Sequence, residues 1–280
     1  MTLGRDPRLI LARTDLAAAS LEGLVKAARY EAVRTLQVIA PSAPLLSSAD
    51  PRSGWLDELV HGERFDAIGA DGEYLWGQAR RDGYVGFVAA AVLGPLAEAP
   101  THRVSAIRAY AFAEPSVRSR PIGPFSLNAL VAIDGEADRF LKAADGARFW
   151  AGHLAPIGRG FERDPAAVAE RFTGAPYVWG GRTSVALDCS GLIQQALYAC
   201  GKACPRDADQ QARLGRPIDR RDLVRGDLVC WSGHIGMMLD QSRLIHASSH
   251  WMATTIEALA DVIARNEAAD RGAPTAFRRL

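Results

Sequence analysis

The apolar positions of the chain follow three patterns along its length. Residues 6–30 are rich in Ala and Leu and contain neither Gly nor Pro between Arg8 and Glu22, which predicts one or two helical pieces. From Gly62 to Ala90, short apolar runs are instead separated by the Asp-Gly pairs 71–72 and 82–83. Because glycine accepts the positive φ of a tight turn, Asp-Gly between apolar runs predicts β-hairpins.

Asp-Gly pairs between apolar runs occur again at residues 134–135 and 145–146. Both pairs lie 63 residues after their counterparts, since 134 − 71 and 145 − 82 give the same difference. Phe87 falls opposite Trp150 at this offset. We therefore predict two copies of a small β module, joined near Pro95 and Pro100. Two repeats are too few for a solenoid, so each copy must fold by itself or pack on its neighbours.

A third pattern begins at Asp164 and Pro165, which suit the N-cap and the first position of a helix. A glycine-rich loop follows, and apolar or small residues then recur at helical spacing from Cys189 to Cys200. This spacing predicts a helix with one apolar face, and Gly201 provides its C′ residue.

Two apolar runs near the end of the chain, 234–239 and 243–247, are joined by a polar turn at 240–242 and predict an antiparallel hairpin. His234 opens the first strand and His246 lies on the second. An even separation across an odd-length loop places both imidazoles on one face of the sheet. Either histidine alone is explained more simply as a hydrogen-bonded sheet residue, but the pair is a rarer arrangement.

Cys189 is the candidate nucleophile. A cysteine on an apolar helix stripe is usually a packing residue. In the first helical turn, however, unpaired N–H groups carry partial positive charge, which favours the thiolate and can stabilise an oxyanion. A nucleophile also needs a base, and the base needs an orienting group. The two histidines could supply both.

Composition narrows the possible classes of protein. The 280 residues are 48% hydrophobic and 23% charged with a net charge of +1, as in ordinary soluble globular proteins. This balance does not indicate a nucleic-acid or membrane partner, and it leaves the oligomeric state open. Without a signal-peptide core or a membrane-length apolar run, we expect a cytoplasmic protein.

The four cysteines all lie in the last third of the chain and lack the spacing of a disulfide framework, so we expect free thiols. Cys200 with Cys204, and Cys230 with His234, have a superficial likeness to zinc ligands. A structural zinc site needs two matching pairs at knuckle spacing, which the sequence does not offer. We expect neither a metal nor an organic cofactor.

The segments APYVWGGRTSVALDCSGLIQQAL, RGDLVCWSGHIGMMLD and LIHAS resemble, in order and spacing, the NlpC-type cysteine peptidases of bacterial peptidoglycan. These enzymes have a papain-like fold, and the resemblance covers about residues 164–280. It implies that Cys189 is the nucleophile and His234 the general base. It also implies that His246 orients the His234 ring and stabilises its charged form.

The same resemblance places Tyr177, Asp188 and Ser190 at the substrate site, near the amino end of the bound peptide. A free ammonium needs carboxylate and hydroxyl acceptors, which these side chains could offer. Helix capping alone is an equal alternative for Asp188 and Ser190. We expect Trp179 to pack beneath the glycine-rich loop.

The β modules resemble bacterial SH3-like domains, which often precede cell-wall hydrolase domains. The likeness is specific in DGYVGFV and weaker in DGARFWAGHL. The expected fold is therefore multidomain, with two small all-β barrels followed by an α+β papain-like domain whose catalytic helix packs on an antiparallel sheet. The predicted divisions are a helical segment 1–29, SH3-like domains 30–98 and 99–160, and a catalytic domain 161–280.

This family resemblance implies hydrolysis of the γ-D-glutamyl bond to a diamino acid in murein peptides, with diaminopimelate and lysine both open. The backbone N–H of Cys189 and a neighbour such as the Tyr177 hydroxyl would bind the oxyanion. Relatives with SH3-like domains often close one side of the cleft, so we expect free peptides with an N-terminal L-Ala, as in wall recycling. The alternatives are a non-catalytic peptidoglycan- or partner-binding protein, and an amidase or acyltransferase on the same scaffold.

Overall fold

The computed structural model describes residues 6–96, 98–270 and 272–280. The chain divides into two compact units, an N-terminal unit (Met1–Ile157) and a C-terminal unit (Gly158–Leu280). Both are rich in β-strands, and the α-helices belong to the second.

Short strands build the N-terminal unit, with 3₁₀ turns at Pro7–Leu9, Ala19–Leu21, Ala90–Val92 and Ala151–His153. The strands are β1 (Ala17–Ala18), β2 (Tyr30–Glu31), β3 (Arg34–Val38), β4 (Ser42–Leu46), β5 (Trp55–Val60), β6 (Arg64–Asp71), β7 (Tyr74–Ala79), β8 (Val85–Ala89), β9 (Leu93–Gly94), β10 (His102–Val104), β11 (Arg108–Phe112), β12 (Pro121–Ser126), β13 (Leu130–Val131), β14 (Ile133–Ala137), β15 (Phe140–Ala143), β16 (Arg148–Trp150) and β17 (Leu154–Pro156).

The first β module is a seven-stranded sheet in the order β5-β4-β8-β7-β6-β3-β9. Its core includes Leu45, Leu59 and Phe65, which are fully buried. Both predicted Asp-Gly turns are confirmed. Gly72 follows the end of β6, and Gly83 turns the chain from β7 into β8 with φ +84°.

The second module has a core of its own around Val104, Phe125 and Phe149, to which Val60 of β5 also contributes. Its sheets are ordered β13-β10-β17 and β12-β11-β16-β15-β14. Gly146 turns β15 into β16 with φ +92°, as predicted. The predicted turn at residues 134–135 is wrong, because this Asp-Gly pair lies inside β14 at a shift in its register with β15. The chain turns instead at Asp138, with φ +55°, a conformation that aspartate tolerates better than most residues.

The prediction of helical structure in residues 6–30 is wrong for the described residues. They form two 3₁₀ turns and strand β1, which pairs in parallel with β2. Leu16 and Ala18 are buried in a cluster with Trp76 and Phe87, and Ala17 between them is fully buried too. An extended segment can bury three consecutive residues in this way, and that packing overrides local helix propensity.

The C-terminal unit packs helices against a six-stranded sheet in the order β18-β23-β19-β20-β21-β22. Its elements are α1 (Pro165–Glu170), α2 (Cys189–Ala199), α3 (Ala208–Gln211), β18 (Arg216–Pro217), a 3₁₀ turn (Arg220–Asp222), β19 (Leu228–Trp231), β20 (His234–Met238), β21 (Arg243–Ser248), β22 (Ala253–Ala258), α4 (Leu259–Ala268) and β23 (Ala276–Arg279).

The predicted starts and ends of its helices are confirmed. The Asp164 carboxylate accepts a hydrogen bond from the Ala166 N–H at the start of α1. Gly201 follows α2 with φ +72°. The prediction of a single apolar face on α2 was incomplete, because all eleven residues of this helix are buried. Its polar side is enclosed by hydrogen bonds, such as that from the Gln195 amide to the Arg182 carbonyl.

Strands β20 and β21 form the predicted antiparallel hairpin, with Met237 opposite Ile245 and Met238 opposite Leu244. Helix α2 packs against both strands. The nucleophile candidate and the two histidines therefore come from adjacent elements. Within the described part of the chain, no helix has the length and apolar character needed to cross a bilayer.

Candidate active site

Cys189 is the first residue of α2, at the end that Asp188 caps. Its side chain is buried, and its sulfur accepts a hydrogen bond from the backbone N–H of Ile235 in β20. Since Ile235 directly follows His234, this contact places the thiol next to the start of the strand that carries the candidate base.

Burial, which is the largest effect, and the negative charge of Asp188 bring the pKa of the Cys189 thiol to about 12. The N–H groups of Ile235 and Ser190 and the charge of Arg206 lower this pKa, but they do not outweigh burial. The expectation that the helix start would favour a thiolate is therefore wrong. The thiol is protonated near neutral pH and needs a base to become a nucleophile.

A capping cluster of polar residues fixes the start of α2. One oxygen of Asp188 accepts from the Gly191 N–H (2.8 Å), and the other accepts from the Gly180 N–H (2.9 Å). Arg206 donates to both oxygens at 3.0 and 2.6 Å, and also to the Ser190 hydroxyl at 2.8 Å. The side chains of Arg206 and Asp188 are only 1% and 7% exposed. This cluster joins the helix start, the glycine-rich loop and the segment before α3.

These contacts favour the capping alternative for Asp188 and Ser190. The Ser190 hydroxyl adds a further bond to Asp188 at 3.2 Å, so the carboxylate accepts five hydrogen bonds from within the protein. A carboxylate offers about four lone-pair positions. A substrate ammonium would have to displace Arg206 to reach the Asp188 carboxylate.

The two imidazoles meet across the hairpin, as the parity of their spacing predicts. His234 Nε2 and His246 Nδ1 are 2.7 Å apart, and the ring planes are inclined at 66°. His246 is 2% exposed, whereas His234 is partly exposed and lies 5.6 Å from the Trp231 ring. The outer ring can therefore reach a substrate while the inner ring is held inside the unit.

Two residues behind His246 were missed by the sequence analysis. The Glu257 carboxylate lies 2.8 Å from His246 Nε2, and Arg265 of α4 donates to both of its oxygens at 2.7 and 2.8 Å. Thr255, two residues before Glu257 on β22, is the cross-strand partner of His246. The signal in the sequence that indicates this face is the run 253–258, which forms β22.

Glu257 remains ionised at neutral pH. Burial alone would raise the pKa of this carboxyl group. Hydrogen bonds from His246, Arg265 and Trp251 outweigh that effect and hold the pKa well below its usual range. The histidine chain, defined here as His234, His246, Glu257 and Arg265, thus contains a fixed negative charge and a fixed positive charge.

A cavity of about 300 Å³ opens beside this chain and is lined by His234, His246, Arg265 and His250, among others. His250 packs edge-on against Trp251, with 4.6 Å between ring centroids. The imidazole that contacts His234 is that of His246.

Tyr177 and Trp179 lie on the glycine-rich loop. Tyr177 is partly buried, pairs with Leu187 just before α2, and its N–H donates to the Met252 carbonyl at 2.9 Å. The loop is therefore tied both to the helix start and to the turn before β22. Trp179 is 65% exposed, so the expectation that it packs beneath the loop is wrong.

Comparison with known proteins agrees with this architecture. Residues 174–264 match the family model described as the NlpC/P60 family, and residues 45–93 match that of the bacterial dipeptidyl-peptidase Sh3 domain. The chain therefore contains a segment similar to NlpC/P60 domains, with a segment similar to a bacterial Sh3 domain ahead of it.

Two curated relatives come from Bacillus subtilis. The chain is 28% identical over 117 residues to a gamma-D-glutamyl-L-lysine dipeptidyl-peptidase, covering 39% of this chain and 40% of the relative. It is 36% identical over 117 residues to a gamma-DL-glutamyl hydrolase, covering 36% of this chain and 28% of the relative. The matches thus span less than half of the length of either relative.

The fold is shared with a solved NlpC/P60 family protein from Bacillus cereus. The two structures superpose with a TM-score of 0.74 at 17% sequence identity, over 88% of this chain and 99% of the other.

Proposed function

We propose that the C-terminal unit is a cysteine peptidase that hydrolyses the γ-D-glutamyl bond to the diamino acid in murein peptides. The observation that carries the proposal is the 2.7 Å contact between His234 Nε2 and His246 Nδ1. The residue after His234, Ile235, donates its N–H to the Cys189 sulfur. General-base activation requires a protonated thiol within reach of an oriented imidazole, and the bond from Ile235 to the sulfur supports that placement.

In the proposed reaction, His234 takes the thiol proton while the sulfur attacks the glutamyl carbonyl carbon. The Cys189 N–H and the Tyr177 hydroxyl donate to the oxyanion. Collapse of the intermediate breaks the C–N bond, and His234 returns its proton to the leaving amine. The same imidazole then deprotonates a water that hydrolyses the thioester, which releases the acid and regenerates the thiol.

The names of both curated relatives specify a glutamyl bond, which supports this choice of bond. We further propose that the substrate is a free peptide with an N-terminal L-Ala, processed in the cytoplasm during wall recycling. The proposal also includes a second SH3-like domain in residues 99–160, for which the separate core of the second β module gives support. Cell fractionation with an antibody against the protein tests the location.

Mass spectrometry of defined peptides tests the activity. We expect cleavage of L-Ala-γ-D-Glu-diaminopimelate or its lysine counterpart after the glutamyl residue, and none of the same stem attached to glycan. Cys189→Ala should abolish turnover, whereas Cys200→Ser, at the far end of α2, should retain it. Equal digestion of intact sacculi would contradict the preference for free peptides.

The same assay separates the alternatives. A binding module would retain the peptide without a change in its mass. An amidase would release the stem peptide from glycan, and an acyltransferase would add mass to an acceptor. A chelator should leave the peptidase rate unchanged, because no step of the proposed reaction uses a metal.

A further inference from the structure

Behind the proposed catalytic pair lies a carboxylate that the reaction scheme does not use. We infer that Glu257, held by Arg265, fixes the proton positions on both imidazoles and is a positioning residue for His234. This inference rests on the proposed function for its kinetic consequences, but its structural content can be tested without any substrate.

The first step concerns the nitrogen that faces Glu257. An ionised carboxylate can only accept hydrogen bonds, and an arginine can only donate them. Arg265 contacts both oxygens of Glu257, and the side chain of Glu257 is 14% exposed. His246 Nε2 lies 2.8 Å from this acceptor-only group and must therefore carry a proton.

The second step passes this assignment to the next ring. A neutral His246 with its proton on Nε2 has its lone pair on Nδ1, which lies 2.7 Å from His234 Nε2. Only a proton on His234 Nε2 makes that contact a hydrogen bond. The lone pair of His234 is then on Nδ1, and this nitrogen becomes the atom that can accept the proton of Cys189.

The opposite assignment has two costs. A lone pair on His246 Nε2 would face the lone pairs of Glu257 at 2.8 Å, which is repulsive. His234 would then carry its proton on Nδ1 and would have no basic nitrogen for the thiol. The charge on Glu257 thus sets the direction of every hydrogen bond along the chain. An outer residue that fixes an imidazole tautomer is typical of histidine sites.

Glu257→Gln provides the sharpest kinetic test. Because Arg265 contacts both oxygens of Glu257, the glutamine NH₂ group faces an Arg265 donor in either orientation, and the amide has lost the negative charge that holds a proton on His246 Nε2. The Nε2 proton of His246 is then held less firmly, and we expect kcat to fall about 10- to 100-fold with little change in KM. Glu257→Asp keeps an acceptor-only carboxylate and should lose less. Glu267→Gln changes an exposed carboxylate on α4, the helix that carries Arg265, and this matched control should behave as wild type.

The pH profile separates positioning from simple structural support. Glu257 from β22 contacts His246, and Arg265 from α4 and His250 from the turn after β21 line the same cavity as both rings. Cys189 from α2 is bonded to Ile235, the residue after His234. Glu257 favours the protonated pair and Arg265 disfavours it. We expect the acid limb of kcat/KM to move to lower pH in Glu257→Gln and to higher pH in Arg265→Met. Shifts in the same direction would contradict the inference.

Imidazole ¹⁵N NMR on a Cys189→Ala background tests the proton positions directly. We expect both histidines to carry their proton on Nε2, and the fraction in this tautomer to fall when Glu257→Gln is added. Circular dichroism should show both variants folded. An Nδ1 proton on His246 in the parent, or unchanged tautomers in the variant, would overturn the inference. If wild-type protein cleaves no murein peptide, the proposed function fails, but this NMR result still decides the inference.

Discussion

The C-terminal unit contains two arginine–carboxylate pairs that serve different ends. The Asp188–Arg206 pair is enclosed, with side chains 1–7% exposed, and binds backbone N–H groups at the start of α2. The Glu257–Arg265 pair is more open, with side chains 14–24% exposed, and its carboxylate faces an imidazole. A carboxylate and a guanidinium thus fix the backbone at the start of α2 in the first pair. In the second pair, the same two groups determine which nitrogen of His246 carries a proton.

This difference shows that a carboxylate does not become a substrate ligand merely because it lies next to the nucleophile. Asp188 adjoins Cys189 in sequence, but its hydrogen bonds are used inside the protein. Glu257 is 68 positions away along the chain, as 257 − 189 gives, and acts on the proposed base through one other ring.

Removing the base should have the largest effect on the proposed activity. Because the thiol of Cys189 is protonated at neutral pH, we expect His234→Ala to lower kcat/KM by about 10²- to 10⁴-fold. Peptide cleavage followed by mass spectrometry gives the rate. His102→Ala in the N-terminal unit is the control, and an equal loss there would show that the effect is not specific to the histidine chain.

Breaking the enclosed pair should mainly affect stability. Arg206→Met leaves Asp188 buried without its counter-charge, and we expect a loss of about 3–5 kcal/mol in the unfolding free energy of the C-terminal unit. Native-state hydrogen exchange of the α2 amides, followed by mass spectrometry of peptides from this helix, measures it in that unit. The double variant Asp188→Asn/Arg206→Met should recover part of the loss. If it is no better than the single variant, the buried charge is not the cause.

The reactivity of the Cys189 thiol measures whether burial, which raises its pKa, outweighs the N–H groups at the helix start, which lower it. With its pKa raised to about 12, Cys189 should react slowly with iodoacetamide at pH 7, and the rate should continue to rise above pH 9. Mass spectrometry of the labelled tryptic peptide gives the rate at each pH. A plateau already reached near neutral pH would indicate a preformed thiolate and contradict this assignment.

The smallest expected effect is the acid dependence of stability from Glu257. Its folded-state pKa lies below the ordinary value of 4.5, so its contribution is present above pH 4.5 and is lost as pH falls further. We expect the melting temperature of Glu257→Gln to decline less steeply than that of wild type below pH 4.5. Parallel curves would mean that the charge of Glu257 does not stabilise the folded state.

Local signals in the sequence predicted local structure well. The turns at Gly83 and Gly146 need a positive φ, and the chain supplies glycine there. The Asp-Gly pair at 134–135 has the same sequence but lies in a strand, because pairing with β15 determines the backbone conformation there. Parity along one hairpin sufficed to bring His234 and His246 together.

Features that depend on distant contacts could not be predicted in this way. The sequence shows neither the depth of burial that raises the pKa of Cys189 nor the approach of Arg206 to Asp188. Glu257 required the pairing of β22 with β21, and Arg265 required the packing of α4 beside that strand. Each of these contacts joins elements whose arrangement is set by the whole unit.

The complete enclosure of α2 has a consequence for how heat inactivates the protein. A helix buried on every side has no surface from which it can fray independently, so its amide hydrogens should exchange with solvent only when the whole unit opens. The sulfur is therefore anchored to the slowest-exchanging element of the unit. Its placement should persist until cooperative melting and vanish in the same transition.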